Sequence, residues 1–203
     1  MTVKEENLIT QKTFRTLLQA MSHPGRVYRL EQESEVRSQE SDKYNLSPVF
    51  CLLFSVLQTL LDHEVTFNVF GHQREEWEYR IIRATGSRTA NIEDADFVII
   101  PSGGSEGAIL HAKRGSLEYP DTGATVIYSV HPLSARDNGG VRVTLKGPGI
   151  NGEITQYIGG IKKNEFHYLK EINSEYPLGV DSIFIDAENR LMCMPRSTKT
   201  EVI

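Results

Sequence analysis

Residues 64–100 read EVTFNVFGHQREEWEYRIIRATGSRTANIEDADFVII, and the fold turns on them. Val65, Phe67 and Val69 alternate with Thr66 and Asn68, a period of two that predicts a strand from Glu64 to Phe70. Trp77, Arg80/Ile81 and Ala84 then follow helical spacing and predict a helix over 74–84. Asp96 to Ile100 is a second, short apolar strand. Helices set between early strands are the mark of an α/β domain.

Upstream, Phe14, Leu17, Leu18 and Met21 recur at i, i+3, i+4, i+7, which predicts an amphipathic helix from Thr10, as N-cap, to Ser22. Pro24-Gly25 stops it, because proline lacks the N–H and disfavours α geometry before it. Glu31 to Asn45 carries five acids, two bases and no aliphatic residue except Val36, the composition of a solvated loop. Ser47-Pro48 opens a second helix, an N-cap followed by proline at the first helical position, and apolar residues from Val49 to Leu61 cover nearly every face of it.

Downstream, Pro101-Ser102-Gly103-Gly104 turns the apolar strand into a helix expected over 105–114, with Gly115 as its stop. Strands are then expected over 124–130, 141–146 and 153–158, separated by Asp137-Asn138-Gly139-Gly140 and Gly147-Pro148-Gly149. A helix over 163–172 precedes a hairpin of Ser182 to Asp186 and Arg190 to Met194. Hairpin-linked strands after the early helices exclude a wholly parallel sheet. The expected architecture is a three-layer α/β domain over 1–203, with a mixed β-sheet flanked by helices.

Composition narrows the function. Hydrophobic residues at 39% and charged residues at 24% are enough to build a core. Lys plus Arg at 22 against Asp plus Glu at 27 leaves a net charge of −5, which argues against nucleic acid as the main partner. The acidic start, Lys4-Glu5-Glu6, is unlike a signal peptide, and Val49 to Leu61 is short of the ~20 residues that span a bilayer, so a cytoplasmic protein with no membrane partner is expected.

Candidate chemistry is sparse. The turn from Ser102 to Gly107 sits where backbone N–H groups could cradle an anion, but it lacks the Lys-Ser/Thr of a P-loop and the GxGxxG of a dinucleotide fold, so an ordinary capped turn is the plainer reading. No histidines pair at i, i+4, and neither Cys51 nor Cys193 lies near other ligands; no metal is expected, and both cysteines read as core residues. There is no GxSxG nucleophile, and Lys199 has no partner constellation for a pyridoxal cofactor. His23, ending the first helix, is either a proton shuttle and ligand contact or a cation favoured by the helix dipole. Asp181 and Arg196 fall at the open end of the closing hairpin, where they form either a structural salt bridge or a site at which the guanidinium fork meets a phosphate or phosphonate oxygen.

The stretch Phe14-Arg15-Thr16-Leu17-Leu18-Gln19-Ala20-Met21-Ser22-His23-Pro24-Gly25 resembles the opening signature of the PhnH family of phosphonate-metabolism proteins, subunits of the bacterial carbon-phosphorus lyase system. Leu60-Leu61-Asp62, Tyr119-Pro120-Asp121-Thr122-Gly123-Ala124-Thr125, Leu145-Lys146-Gly147-Pro148-Gly149-Ile150, Pro177-Leu178-Gly179-Val180-Asp181 and Pro195-Arg196-Ser197-Thr198 follow in the family's order. His23 and Ser197 depart from the family's usual residues, and the loop from Glu31 to Asn45 is more acidic.

That resemblance implies a fold similar to the large domain of pyridoxal-phosphate-dependent transferases, without cofactor or lysine. It also implies a homodimer that joins the G, I and J subunits in a core complex, with phosphonate or ATP contacted inside that complex. The implied step makes a ribose 1-phosphonate 5-triphosphate from ATP and an alkylphosphonate, and no catalytic residue is carried over. Different readings of the same chain are a stand-alone transferase or lyase acting on a small anion, and a scaffold without ligand. Phe67, Phe70, Ile183, Phe184 and Met192 exceed what one modest sheet obviously needs, which independently leads us to expect a surface closed by another subunit.

Overall fold

A computed structural model describes the backbone of residues 3–30, 48–137 and 139–202; the side chains of 3–7 and 48–52 are left aside. The acidic loop at 31–45, the Ser47 cap, Asn138 and the Cys51 side chain therefore lie outside the described residues. Four α-helices are described: α1 (Val3–Ser22), α2 (Pro48–Leu60), α3 (Arg74–Thr85) and α4 (Lys163–Ile172). The strands are β1 (Tyr28–Arg29), β2 (Thr66–Val69), β3 (Arg88–Thr89), β4 (Phe97–Ile100), β5 (Thr125–Val130), β6 (Leu133–Ser134), β7 (Val141–Lys146), β8 (Ile154–Ile158), β9 (Asp181–Asp186), β10 (Arg190–Met194) and β11 (Lys199–Val202).

Seven strands form a mixed sheet in the order β1-β10-β9-β5-β4-β2-β3. The run from β3 to β9 is parallel, and β10 turns back antiparallel on β9 with Met192 opposite Phe184. The pleat sorts the side chains. Phe67, Val69, Ile99, Ile127, Ile183 and Ile185 face α1, α2 and α3, burying Leu17, Leu53, Leu57 and Ile81 against them. On the opposite face, Val98, Ile100, Val126, Tyr128 and Phe184 meet Phe166 and Leu169 of α4. Tyr128 and Phe184 stack at 5.0 Å between centroids, a contact worth about 0.5–1.5 kcal/mol beyond its area.

The layers differ from expectation in four places. The strands over 141–146 and 154–158 do not enter the main sheet; with β6 and β11 they form a separate four-stranded antiparallel sheet, order β11-β7-β8-β6. This sheet shares the α4 side of the fold, through Val143, Leu145 and Ile158. Alternation along a strand reveals which side chains are buried but not which sheet buries them. Second, Thr10 is no cap, since α1 already runs from Val3. Third, Phe14 and Leu18 are 47% and 55% exposed, so half of the expected apolar stripe faces outward. Fourth, the helix expected over 105–114 shrinks to a 3-10 turn at Ala108–His111. Gly103, Gly104, Glu106 and Gly107 all have positive φ, and an α-helix needs φ near −63°.

Four of the five residues expected as an apolar surplus are covered within the chain, and Phe70 is half-buried. Phe67, Ile183, Phe184 and Met192 are each at most 2% exposed, covered by the chain's own helices, by neighbouring strands and by the second sheet. The Pro24-Gly25 stop fastens these layers together. The Gly25 N–H donates to the Cys193 carbonyl at 3.1 Å, while Gln156 Nε2 donates to the Gly25 carbonyl at 2.8 Å. Gly25 has φ 77°, and a Cβ there would also lie 2.7 Å from side-chain methyls of Ile154 and Leu145, so any other residue would be strained and would push those methyls aside. No helix among the described residues is long and apolar enough to cross a membrane.

Candidate functional site

The open end of the β9–β10 hairpin brings Asp181 and Arg196 together. Asp181 begins β9, in register with Thr125 of β5, and Arg196 follows β10 two residues after Met194. The Arg196 backbone N–H donates to Asp181 Oδ1 at 2.8 Å, Nη2 donates to Oδ2 at 2.6 Å, and Nε lies 3.2 Å from Oδ2. Nη1 donates to the Pro120 carbonyl. Three nitrogens of the fork are thus committed within the protein, and the pair ties the hairpin mouth to the turn at Pro120–Thr122. That turn ends at Gly123, where a Cβ would stand 2.7 Å from Arg196 Nη1.

Beside this pair a groove of about 880 Å³ runs between α4 and β11, lined by Arg196, Lys170, Lys199, His167 and Tyr176. Thr198, also in its lining, has a buried hydroxyl with no partner among the described residues. His23 is not part of the groove. Its Nδ1 lies 3.1 Å from both the Gln19 carbonyl and the Ser22 hydroxyl, at the end of α1. Of the three candidates, the fold joins Asp181 to Arg196 and leaves His23 elsewhere.

A second cleft, about 500 Å³, opens where the parallel strands β2 and β4 end. From β2 the chain leaves through α3 toward β3, with Ile81 packed on the face of α1 and α2; from β4 it leaves toward β5, with Ile109 packed on the opposite face. Adjacent parallel strands whose connections depart on opposite faces leave a crevice at their carboxyl ends, which is where open α/β sheets hold ligands. His72 and Arg74 line it from the β2 side, Gly103, Gly104 and Glu106 from the β4 side, and Lys162 from the start of α4. Lys162 Nζ donates to Glu106 Oε1 at 2.8 Å; that bond holds the Glu106 carboxyl below its usual range and raises Lys162 in turn.

The turn is anchored from beneath by Glu165, which is 1% exposed. Its Oε2 accepts the Ser105 N–H at 2.8 Å and its Oε1 accepts the Tyr128 hydroxyl at 2.8 Å. Burial, then the facing Glu165 carboxyl, pushes the Tyr128 phenol well above its ordinary value, so it serves as a neutral donor. Sequence reasoning missed Glu165. Its signal was an acid at i of an apolar i, i+4, i+7 row completed by Leu169 and Ile172. Cys193, by contrast, is the inert core residue its setting implied, its thiol pushed up by burial.

The model of the bacterial phosphonate metabolism protein family (PhnH) matches residues 3–201. The protein named "Putative C-P lyase subunit protein HtxG" from Stutzerimonas stutzeri is 31% identical over 188 residues, covering 93% of this chain and 84% of its own. A match running from the first helix through the second sheet and the closing strand assigns the chain to a family: it belongs to the PhnH family of bacterial phosphonate metabolism proteins.

Proposed function

We propose that this chain is a non-autonomous subunit of the carbon-phosphorus lyase core complex. It is required at the step that makes α-D-ribose 1-alkylphosphonate 5-triphosphate from ATP and an alkylphosphonate. Subtracting that product from its reactants leaves adenine, so a phosphonate oxygen forms a bond to the ribose C1 as the C1–N9 bond breaks and adenine departs with its electron pair and a proton. The observation that carries this reading is the family match over 3–201, supported by a relative named as a C-P lyase subunit.

In this proposal the chain is a cytoplasmic, cofactor-free homodimer that joins the G, I and J subunits. Phe14 and Leu18, four residues apart and exposed on α1, form the apolar strip we assign to contact with the second copy. At the hairpin mouth the donor count supports the structural reading: Arg196 Nε, Nη1 and Nη2 already have protein acceptors. A phosphonate contact through Arg196, Asp181 or His23 would have to form inside the assembled complex.

Light scattering of the isolated chain and co-purification from phosphonate-grown cells test the assembly. The expected result is a dimer mass at micromolar concentration, converted to monomer by Leu18→Glu, and recovery of the other subunits with the tagged wild type. A monomeric wild type recovered without them contradicts the proposal.

A further inference from the structure

We infer that the cleft at the ends of β2 and β4 is a binding site for a phosphate or phosphonate group, and that the Glu106 carboxylate occupies it as an internal stand-in until such an anion displaces it. The inference rests on the geometry of the cleft and stands whether or not the chain serves the proposed complex.

Charge selects the class of ligand. Three cationic or protonatable side chains, His72, Arg74 and Lys162, line the cleft against one carboxylate, Glu106. Arg74 gives Nε to Glu78 at 2.6 Å, which leaves its two terminal nitrogens without a hydrogen bond among the described residues. A planar fork with free ends and a nearby ammonium suit a tetrahedral dianion better than a single carboxylate.

The Glu106–Lys162 pair is built to open. The two side chains are 67% and 62% exposed, and exposed pairs hold their partners weakly. Glu106 is carried on a turn between residues of positive φ and itself has φ 54°, while nothing lies within 4 Å of a Cβ added at Gly103. Gly103, which lines the same cleft, thus leaves open space on its own side of the cleft. Beneath it Glu165 holds Ser105, so the exchange of one anion for another leaves the frame in place.

Titration calorimetry with inorganic phosphate and, separately, methylphosphonate tests this, using the full chain. Removing the stand-in by Glu106→Gln is expected to tighten binding about tenfold, the effect of deleting one competing charge at close range. Lys162→Gln placed in the Glu106→Gln background reverses that gain, and Arg74→Gln weakens binding by a similar factor. Glu93→Gln removes an equal charge from an exposed site outside the cleft lining, and leaves affinity within about twofold, since distant exposed charges are screened. A preference for one probe identifies the source of the group: free phosphate or a carbon-bound phosphonate. Absence of binding to Glu106→Gln, equal affinity of Glu106→Gln and wild type, or indifference to Lys162→Gln each overturns the inference.

Discussion

At the hairpin mouth Arg196 keeps 12% of its side chain exposed and gives three fork nitrogens to protein acceptors, whereas at the strand-end cleft Lys162 is 62% exposed and meets one carboxylate. Both are cation–carboxylate pairs at the edges of the same fold. The first binds two backbone segments together and cannot be removed without leaving a half-buried carboxylate behind. The second lies on a turn that is anchored elsewhere. Where charge is embedded among backbone partners it frames the fold; where it sits on a rim it is free to be exchanged.

The largest effect expected from this contrast is at Arg196. Arg196→Ala should cost about 3 kcal/mol, the lower end for a buried pair, or about 6–12 °C in melting temperature for a chain of this size. A melting temperature unchanged by Arg196→Ala breaks the comparison at its first term.

Glu165→Leu ranks next, at about 2–3 kcal/mol, because it strands the buried Tyr128 hydroxyl and the Ser105 N–H. It should also raise amide exchange in the turn from Ser102 to Gly107, whereas a variant that is destabilised without local opening would show that Glu165 does not hold the turn.

Asp96 offers an intermediate case. Burial opposes its ionisation, but hydrogen bonds from Lys113 and Thr66 outweigh that and hold it below the ordinary aspartate value of 3.8. A lowered folded-state value stabilises the protein above the unfolded value, and the contribution fades as pH falls through the folded one. Asp96→Asn should therefore cost about 1 kcal/mol at neutral pH, with the gap to wild type narrowing below about pH 4 in acid melting curves. A gap that is constant with pH would remove the charge from the explanation.

Lys162→Gln completes the series, with a melting temperature indistinguishable from that of the wild type. A penalty as large as that of Arg196→Ala would erase the distinction between frame and rim.

Most of the main sheet was legible in the sequence, because β2 alternates with a period of two, β4 and β5 are short apolar runs set off by Pro or Gly, and α4 has clean helical spacing. The Asp181–Arg196 pair was legible too, since a three-residue hairpin loop fixes which residues share the open end. The second sheet was not, as β7 and β8 carry the same alternation whichever sheet receives them. Nor was the strand-end cleft: His72, Arg74, Glu106 and Lys162 are spread over 90 residues, and only parallel pairing of β2 with β4, together with the approach of α4, gathers them. The glycines were visible as a turn, yet the positive φ that Gly103, Gly104, Glu106 and Gly107 all adopt, which abolishes the expected helix, was not.

Growth is the most direct test of the proposed role. In a bacterium that uses methylphosphonate as its phosphorus source, deletion of this chain should abolish growth on methylphosphonate and leave growth on inorganic phosphate intact. A plasmid carrying the wild type should restore it. A deletion strain that grows on methylphosphonate at the parental rate would contradict the account.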